Sequence, residues 1–173
     1  MNRPEALLPP GVVPIQPGPG QESVWDYPRP PRVESVPLRV RAVVDDRALA
    51  DSRAAFRVLE TAGAPVYYLP PADIDLDRLR ENDRRTVCEW KGVATYLDYV
   101  DGERTIPSIG WVYRDPKPGY DEIRDHVAFY AARLDGAWVG DEPARPQPGG
   151  FYGGWVTDAI VGPIKGEPGS EAW

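Results

Sequence analysis

The chain has 173 residues, 42% of them apolar and 27% charged, with a formal net charge of −7. That is enough for one domain with a sizeable core and hardly enough for two, and such acidity argues against non-specific binding to nucleic acid or anionic membrane. Proline (21) and glycine (17) exclude a long helical bundle, while six tryptophans, nine tyrosines and three phenylalanines argue against wholesale disorder.

Residues 1–22 show no hydrophobic periodicity, which suits a flexible proline-rich tail or an extended strap. Pro9, Pro10 and Pro14 interrupt the early apolar stretch, so it does not read as a signal peptide. Nowhere do the 18 or so uninterrupted apolar residues of a membrane helix occur. A soluble, cytoplasmic protein is expected, with neither nucleic acid nor membrane as partner. Residues 23–37 form an amino-terminal arm, in which Trp25 and Tyr27 can anchor extended chain to a domain surface.

Regular structure is expected in a β core over residues 38–140. Segment 38–44 alternates apolar and basic residues at first, as a half-buried strand does. Asp45-Asp46 reads as a turn, and 47–59 suits either a helix with Gly63 as its C-cap or two short strands, the strands being favoured because Ala54, Phe56 and Val58 fall on one face. Tyr67-Tyr68-Leu69 is a short apolar run. Segment 73–79 reads as one or two helical turns with Asp73 as N-cap. Strands are expected at 86–90 and 94–100, then a hairpin at Asp101-Gly102 leading to 104–106, and a further strand at 109–113. A short helix at 118–125 and a pair of strands at 127–130 and 137–139 complete the core. Residues 141–173 are rich in glycine and proline but hold Phe151, Tyr152, Trp155 and Trp173, so they are expected to dock as a strap. The result is a single mainly-β domain, a small barrel or sandwich with one or two short helices.

Four constellations offer chemistry. Cys88-Glu89-Trp90-Lys91-Gly92 places a thiol, an acid, an aromatic and an amine within four residues. As a continuous strand it would put Cys88 and Trp90 on one face and Glu89 and Lys91 on the other. Its plain alternative is a core tryptophan, an inert buried thiol and a solvated ion pair. Trp111-Val112-Tyr113 projects two aromatics from one face, near enough to Trp90 or Tyr96 to wall a cavity with Lys91 or Lys117 at its mouth. Gly149-Gly150-Phe151-Tyr152-Gly153-Gly154-Trp155 is either a buried strap or a lid. It lacks the G-K-[ST] ending of a Walker A loop. Asp73-x-Asp75-x-Asp77 is a carboxylate run of the kind that holds metals, though capping explains it as well. One cysteine and one histidine, Cys88 and His126, exclude a thiolate-rich structural zinc site and an intramolecular disulfide. A Cys88–His126 nucleophile pair needs a closeness that spacing alone does not give.

Many of these motifs, in this order, resemble the domain-of-unknown-function family numbered 427. The residues that carry the likeness are Trp25-Asp26-Tyr27-Pro28-Arg29-Pro30, Arg57-Val58-Leu59-Glu60-Thr61, Tyr67-Tyr68-Leu69-Pro70-Pro71, Cys88-Glu89-Trp90-Lys91-Gly92, Trp111-Val112-Tyr113, Val127-Ala128-Phe129-Tyr130 and the glycine-rich run 149–155. They extend over nearly everything from Val24 to Trp173. The resemblance implies a compact mainly-β unit similar to the tent-shaped, Mss4-like sheets, and a nucleotidyltransferase-like label. Relatives of that fold often hold zinc through paired cysteines, and Cys88 alone would not.

The reading favoured by the residues is an aromatic pocket that binds or modifies a small molecule. Trp90, Tyr96, Trp111 and Tyr113 would line it, Lys91 and Lys117 would meet an anionic or carbonyl group, and Glu89 is the first candidate acid or base, with Cys88 beside it. Phe151, Tyr152 and Trp155 would close over it. The alternatives are a non-enzymatic assembly module, including a homodimer, and the nucleotidyl transfer that the family label suggests.

Overall fold

A computed structural model describes residues 8–173; residues 1–7 of the expected tail lie outside the described residues. In chain order the strands are β1 (Glu22–Ser23), β2 (Arg32–Ser35), β3 (Val40–Val44), β4 (Arg47–Ser52), β5 (Phe56–Leu59), β6 (Val66–Tyr68), β7 (Leu79–Cys88) and β8 (Gly92–Asp101). There follow β9 (Arg104–Val112), β10 (Val127–Phe129), β11 (Gly136–Val139), β12 (Glu142–Pro143), β13 (Arg145–Pro146), β14 (Trp155–Val156) and β15 (Ile160–Val161). The protein is mainly β, as expected, with several sheets, none of them closed into a barrel. The central sheet has the order β10-β9-β8-β7, the second β12-β11-β3-β4 and the third β2-β5-β6. No helix among the described residues is long and apolar enough to cross a membrane.

The central sheet positions the site, and its sequence explains its form. Two residues, Gly102 and Glu103, link β8 to β9, with Gly102 at φ +58° as a tight hairpin turn requires. The strands expected at 104–106 and 109–113 are one strand, β9. Pro107 cannot donate to a ladder, and an irregularity beside it absorbs the defect. Ser108 takes φ +47° and its N–H is held by Asp98 Oδ1 at 2.7 Å. Register then places Tyr96, Trp111 and Ala128 abreast across β8, β9 and β10. Thr95, Val112 and Val127 form the adjoining row, which faces the other way.

Several local expectations are corrected. The strand expected to run to Trp90 stops at Cys88. Segments 127–130 and 137–139 do not pair with each other: β10 joins β9 and β11 joins β3. The helix expected at 118–125 is one 3₁₀ turn, Asp121–Ile123. Segment 73–79 forms turns at Pro71–Asp73 and Leu76–Arg78, and Asp73 caps neither. Its carboxylate accepts from Ser52 Oγ at 2.6 Å instead. In β5 and its approach, Ala55 and Val58 are buried while Ala54 is exposed.

Residues 15–23 are bound to the carboxy-terminal segment. Ile15 N–H donates to Gly162 O and Glu22 N–H to Ala159 O, both at 2.8 Å, and β1 runs parallel to β15. Arg57 on β5 donates to Glu22 and Glu34 together, and Tyr27 Oη donates to Glu22 at 2.8 Å. The Arg57 guanidinium holds the Glu22 carboxyl below its usual range.

Candidate functional site

Two clusters of buried side chains occupy opposite faces of the central sheet. One contains Leu97, Tyr99, Ile109, Val112, Val127, Phe129 and Trp155. The other contains Tyr68, Ala94, Tyr96, Trp111, Tyr113, Ala128 and Tyr130. The second encloses a cavity of about 240 Å³. Val58, Val66 and Tyr68 of the third sheet supply one wall, and the central sheet supplies Tyr96, Trp111 and the flanking Tyr113 and Tyr130. Trp111 is the hub. Its ring centroid lies 4.8 Å from Tyr130, 6.3 Å from Tyr68 and 6.4 Å from Tyr96, within the range of favourable aromatic pairs. Trp111 Nε1–H points to Tyr68 Oη at 3.3 Å. Its neighbour in the row, Ala128, is small, as is Ala94 on β8, so rigid rings stand next to short side chains.

The outer wall is the glycine-rich strap. A Cβ at Gly153 would run into the Trp111 indole, so this glycine lets the strap backbone lie directly on the ring. Tyr130 Oη donates to Phe151 O at 3.1 Å. Gln147, buried, accepts from Ala64 N–H at 3.1 Å and donates to Lys165 O at 2.9 Å, which ties strap, loop and carboxy-terminal segment together. Phe151 and Tyr152 are exposed at the rim, beside Val87.

Lys91 enters the cavity because of the turn after β7. The chain reverses over residues 89–91, Gly92 takes φ +106°, and Lys91 O accepts from Lys117 N–H at 3.0 Å while Lys117 Nζ donates to Glu89 O at 2.8 Å. Lys91 is 9% exposed. Its Nζ lies 6.0 Å from the centre of the Tyr113 ring and has no hydrogen bond or ion pair among the described residues. Tyr113 is 5% exposed, and its hydroxyl likewise has no partner there. Burial raises the Tyr68 and Tyr113 phenols above their ordinary range and pushes Tyr130 up to about 12. At neutral pH these three hydroxyls therefore act as hydrogen-bond donors and not as bases.

Of the residues singled out from sequence, Cys88, Lys91, Tyr96, Trp111, Tyr113, Phe151 and Tyr152 line this one cavity. Four lie elsewhere. Glu89 is exposed in the turn. Trp90 packs against the edge of the aromatic cluster, and its buried Nε1–H finds no acceptor among the described residues. Lys117 braces the turn from outside. Trp155 is fully buried on the opposite face of the sheet, donating to Phe129 O at 2.8 Å. His126 binds Arg124 O through Nδ1 and stands against Phe56. Asp73 is held by Ser52 and Asp75 by Arg78, and no three His, Cys, Asp or Glu side chains among the described residues form a metal cluster. Tyr68, Tyr130, Gln147, Arg29, Glu60 and Lys165 line the cavity without having been singled out as a site. The Tyr67-Tyr68-Leu69 and Val127-Ala128-Phe129-Tyr130 runs were the signals for the first two.

A family model described as a domain of unknown function (DUF427) matches residues 32–140, a narrower span than the motifs from Val24 to Trp173 suggested. No curated protein matches the chain.

Proposed function

The chain belongs to the DUF427 family, and on that footing we propose that its aromatic cavity binds a small molecule, held by Lys91 and Tyr113. The observation that carries this reading is an ammonium and a hydroxyl, on two largely buried residues and both unpartnered among the described residues, in the lining of one cavity of about 240 Å³. A cation at an apolar lining without a counter-charge is an incomplete polar site, which a ligand's acceptor completes. The strap, closed onto Trp111 through Gly153 and onto Tyr130 through Phe151, serves as the outer wall of the bound state. Residence in the cytoplasm belongs to the same reading, supported by the single unpaired Cys88.

The test is a thermal-shift and calorimetric screen of small aromatic molecules against the wild type and Lys91→Ala. Saturable binding to the wild type is expected, weakened about 10-fold or more in the variant, as loss of a hydrogen bond to a charged group implies. Absence of binding by every member, or equal binding by both proteins, would overturn the proposal.

A second reading, an assembly surface, is favoured by one observation. Val87 and Val93 are paired across β7 and β8 and stand 76% and 50% exposed, with Phe151 60% exposed on the rim of the same cavity. Light scattering separates the two readings: a stable dimer that shields Phe151 supports assembly, and a monomer that binds ligand supports the cavity.

A further inference from the structure

Resting on the cavity reading, we propose that the ligand is a planar aromatic carboxylate, a monoanion on the order of a dozen heavy atoms. The hydrogen-bonding capacity around the cavity points to the charge. Tyr68 Oη accepts from Trp111, Tyr130 Oη donates to Phe151 O, and Thr86 Oγ1 and Tyr96 Oη bond each other at 3.0 Å. Gln147 is engaged at both ends of its amide, and Lys165 Nζ donates to Trp173 O at 2.8 Å. Thr61 Oγ1 donates to Tyr27 O at 2.7 Å. The one carboxylate in the lining, Glu60, faces Arg29 at 3.4 Å. What stands free is the Lys91 ammonium, the Tyr113 hydroxyl, the proton of the Tyr68 hydroxyl and the Cys88 thiol. An ammonium can only donate and a phenolic hydroxyl can donate beside it, so a complementary ligand brings acceptor oxygen, and preferably negative charge.

The number of cations limits that charge. One ammonium without a protein partner among the described residues, in a chain of net charge −7, matches a single carboxylate and leaves most of a triphosphate unpaired. Size points the same way. The cavity of about 240 Å³ falls below the range of roughly 300–1,000 Å³ usual for drug-sized ligands. That size suits one ring system with a short acid. Trp111, Tyr68, Tyr96, Tyr113 and Tyr130 then offer faces and edges to a flat body.

The experiment is calorimetry on the full chain with indole-3-carboxylate, its primary amide, phenyl phosphate and magnesium-ATP, repeated with Lys91→Met and Tyr113→Phe. The acid is expected to bind at least 10-fold more tightly than the amide, an advantage that disappears in Lys91→Met and shrinks in Tyr113→Phe, whose ring is kept. Equal binding of acid and amide, or tighter binding of phenyl phosphate or magnesium-ATP, overturns the ligand class and leaves the cavity reading standing. Failure of all four probes, together with failure of the neutral aromatics in the screen above, overturns both.

Discussion

The two faces of the central sheet are built from alternate residues of the same strands, yet they are filled differently. On one, Thr95, Val112 and Val127 form a row of branched side chains, and Trp155 comes in from the carboxy-terminal segment with its Nε1–H satisfied by Phe129 O. On the other, Tyr96, Trp111 and Ala128 form the row, and the rings surround a cavity of about 240 Å³. Branched aliphatic groups interdigitate to crystal-like density. Rigid rings beside alanines hold one another apart instead, and the polar tips of tyrosine and lysine cannot be pressed together without loss of solvation. The first face is filled by interlocked side chains, and the second leaves a cavity between its rings and the strap.

If that contrast is right, the effects of substitution divide between the faces. The largest loss is expected for Trp155→Ala on the filled face, about 3–5 kcal/mol by urea titration; a loss below about 1 kcal/mol would break the contrast. Gly153→Ala comes next, at about 1–3 kcal/mol, because its new methyl meets the Trp111 ring and must push strap or indole aside. This variant should also weaken ligand binding, which calorimetry reads separately.

A smaller effect is expected from pH. Folded Tyr130 holds its proton more tightly than the unfolded chain, whose tyrosine titrates near 10.0, with the folded value at about 12. Its contribution is therefore complete below the unfolded value and lost as pH rises through the folded one. Denaturation followed across that alkaline window should show falling stability, with a shallower fall in Tyr130→Phe; identical slopes would contradict the burial of this hydroxyl. The smallest change in stability belongs to Lys91→Ala, within about 0.5 kcal/mol of wild type or slightly stabilising, since the ammonium has no hydrogen bond or ion pair among the described residues to lose. A loss above about 2 kcal/mol would make Lys91 a structural residue instead.

Much of this contrast could be read from the chain before any fold was known. Alternation through 94–100 and 109–113 places Tyr96, Trp111 and Tyr113 on one side of a sheet, and Gly102 marks the hairpin that brings their strands together. Lys91 and Cys88 were legible as chemistry, but their orientation was not. It depends on a turn that Lys117 closes from 26 residues further along, through its backbone N–H on Lys91 O. The same turn exposes Glu89 and withdraws Trp90 from the cavity. Trp155 reads as part of the glycine-rich cover, and it lies on the opposite face because Pro65 O holds its backbone N–H at 2.8 Å and Phe129 O its indole. Tyr68 stands 43 positions before the tryptophan it meets, a separation that local pattern cannot bridge. The family match carries the inner wall, since most lining residues fall within 32–140, whereas Arg29, Gln147, Phe151, Tyr152, Gly153 and Lys165 lie outside it.

The most direct test is a crystal structure of the chain grown with indole-3-carboxylate. Density is expected for the ring between Trp111 and Tyr113, with the carboxylate within hydrogen-bond reach of Lys91 Nζ and Tyr113 Oη. Trp111 and Tyr113 packed against each other with no room between them, and Lys91 turned out to solvent, would contradict it.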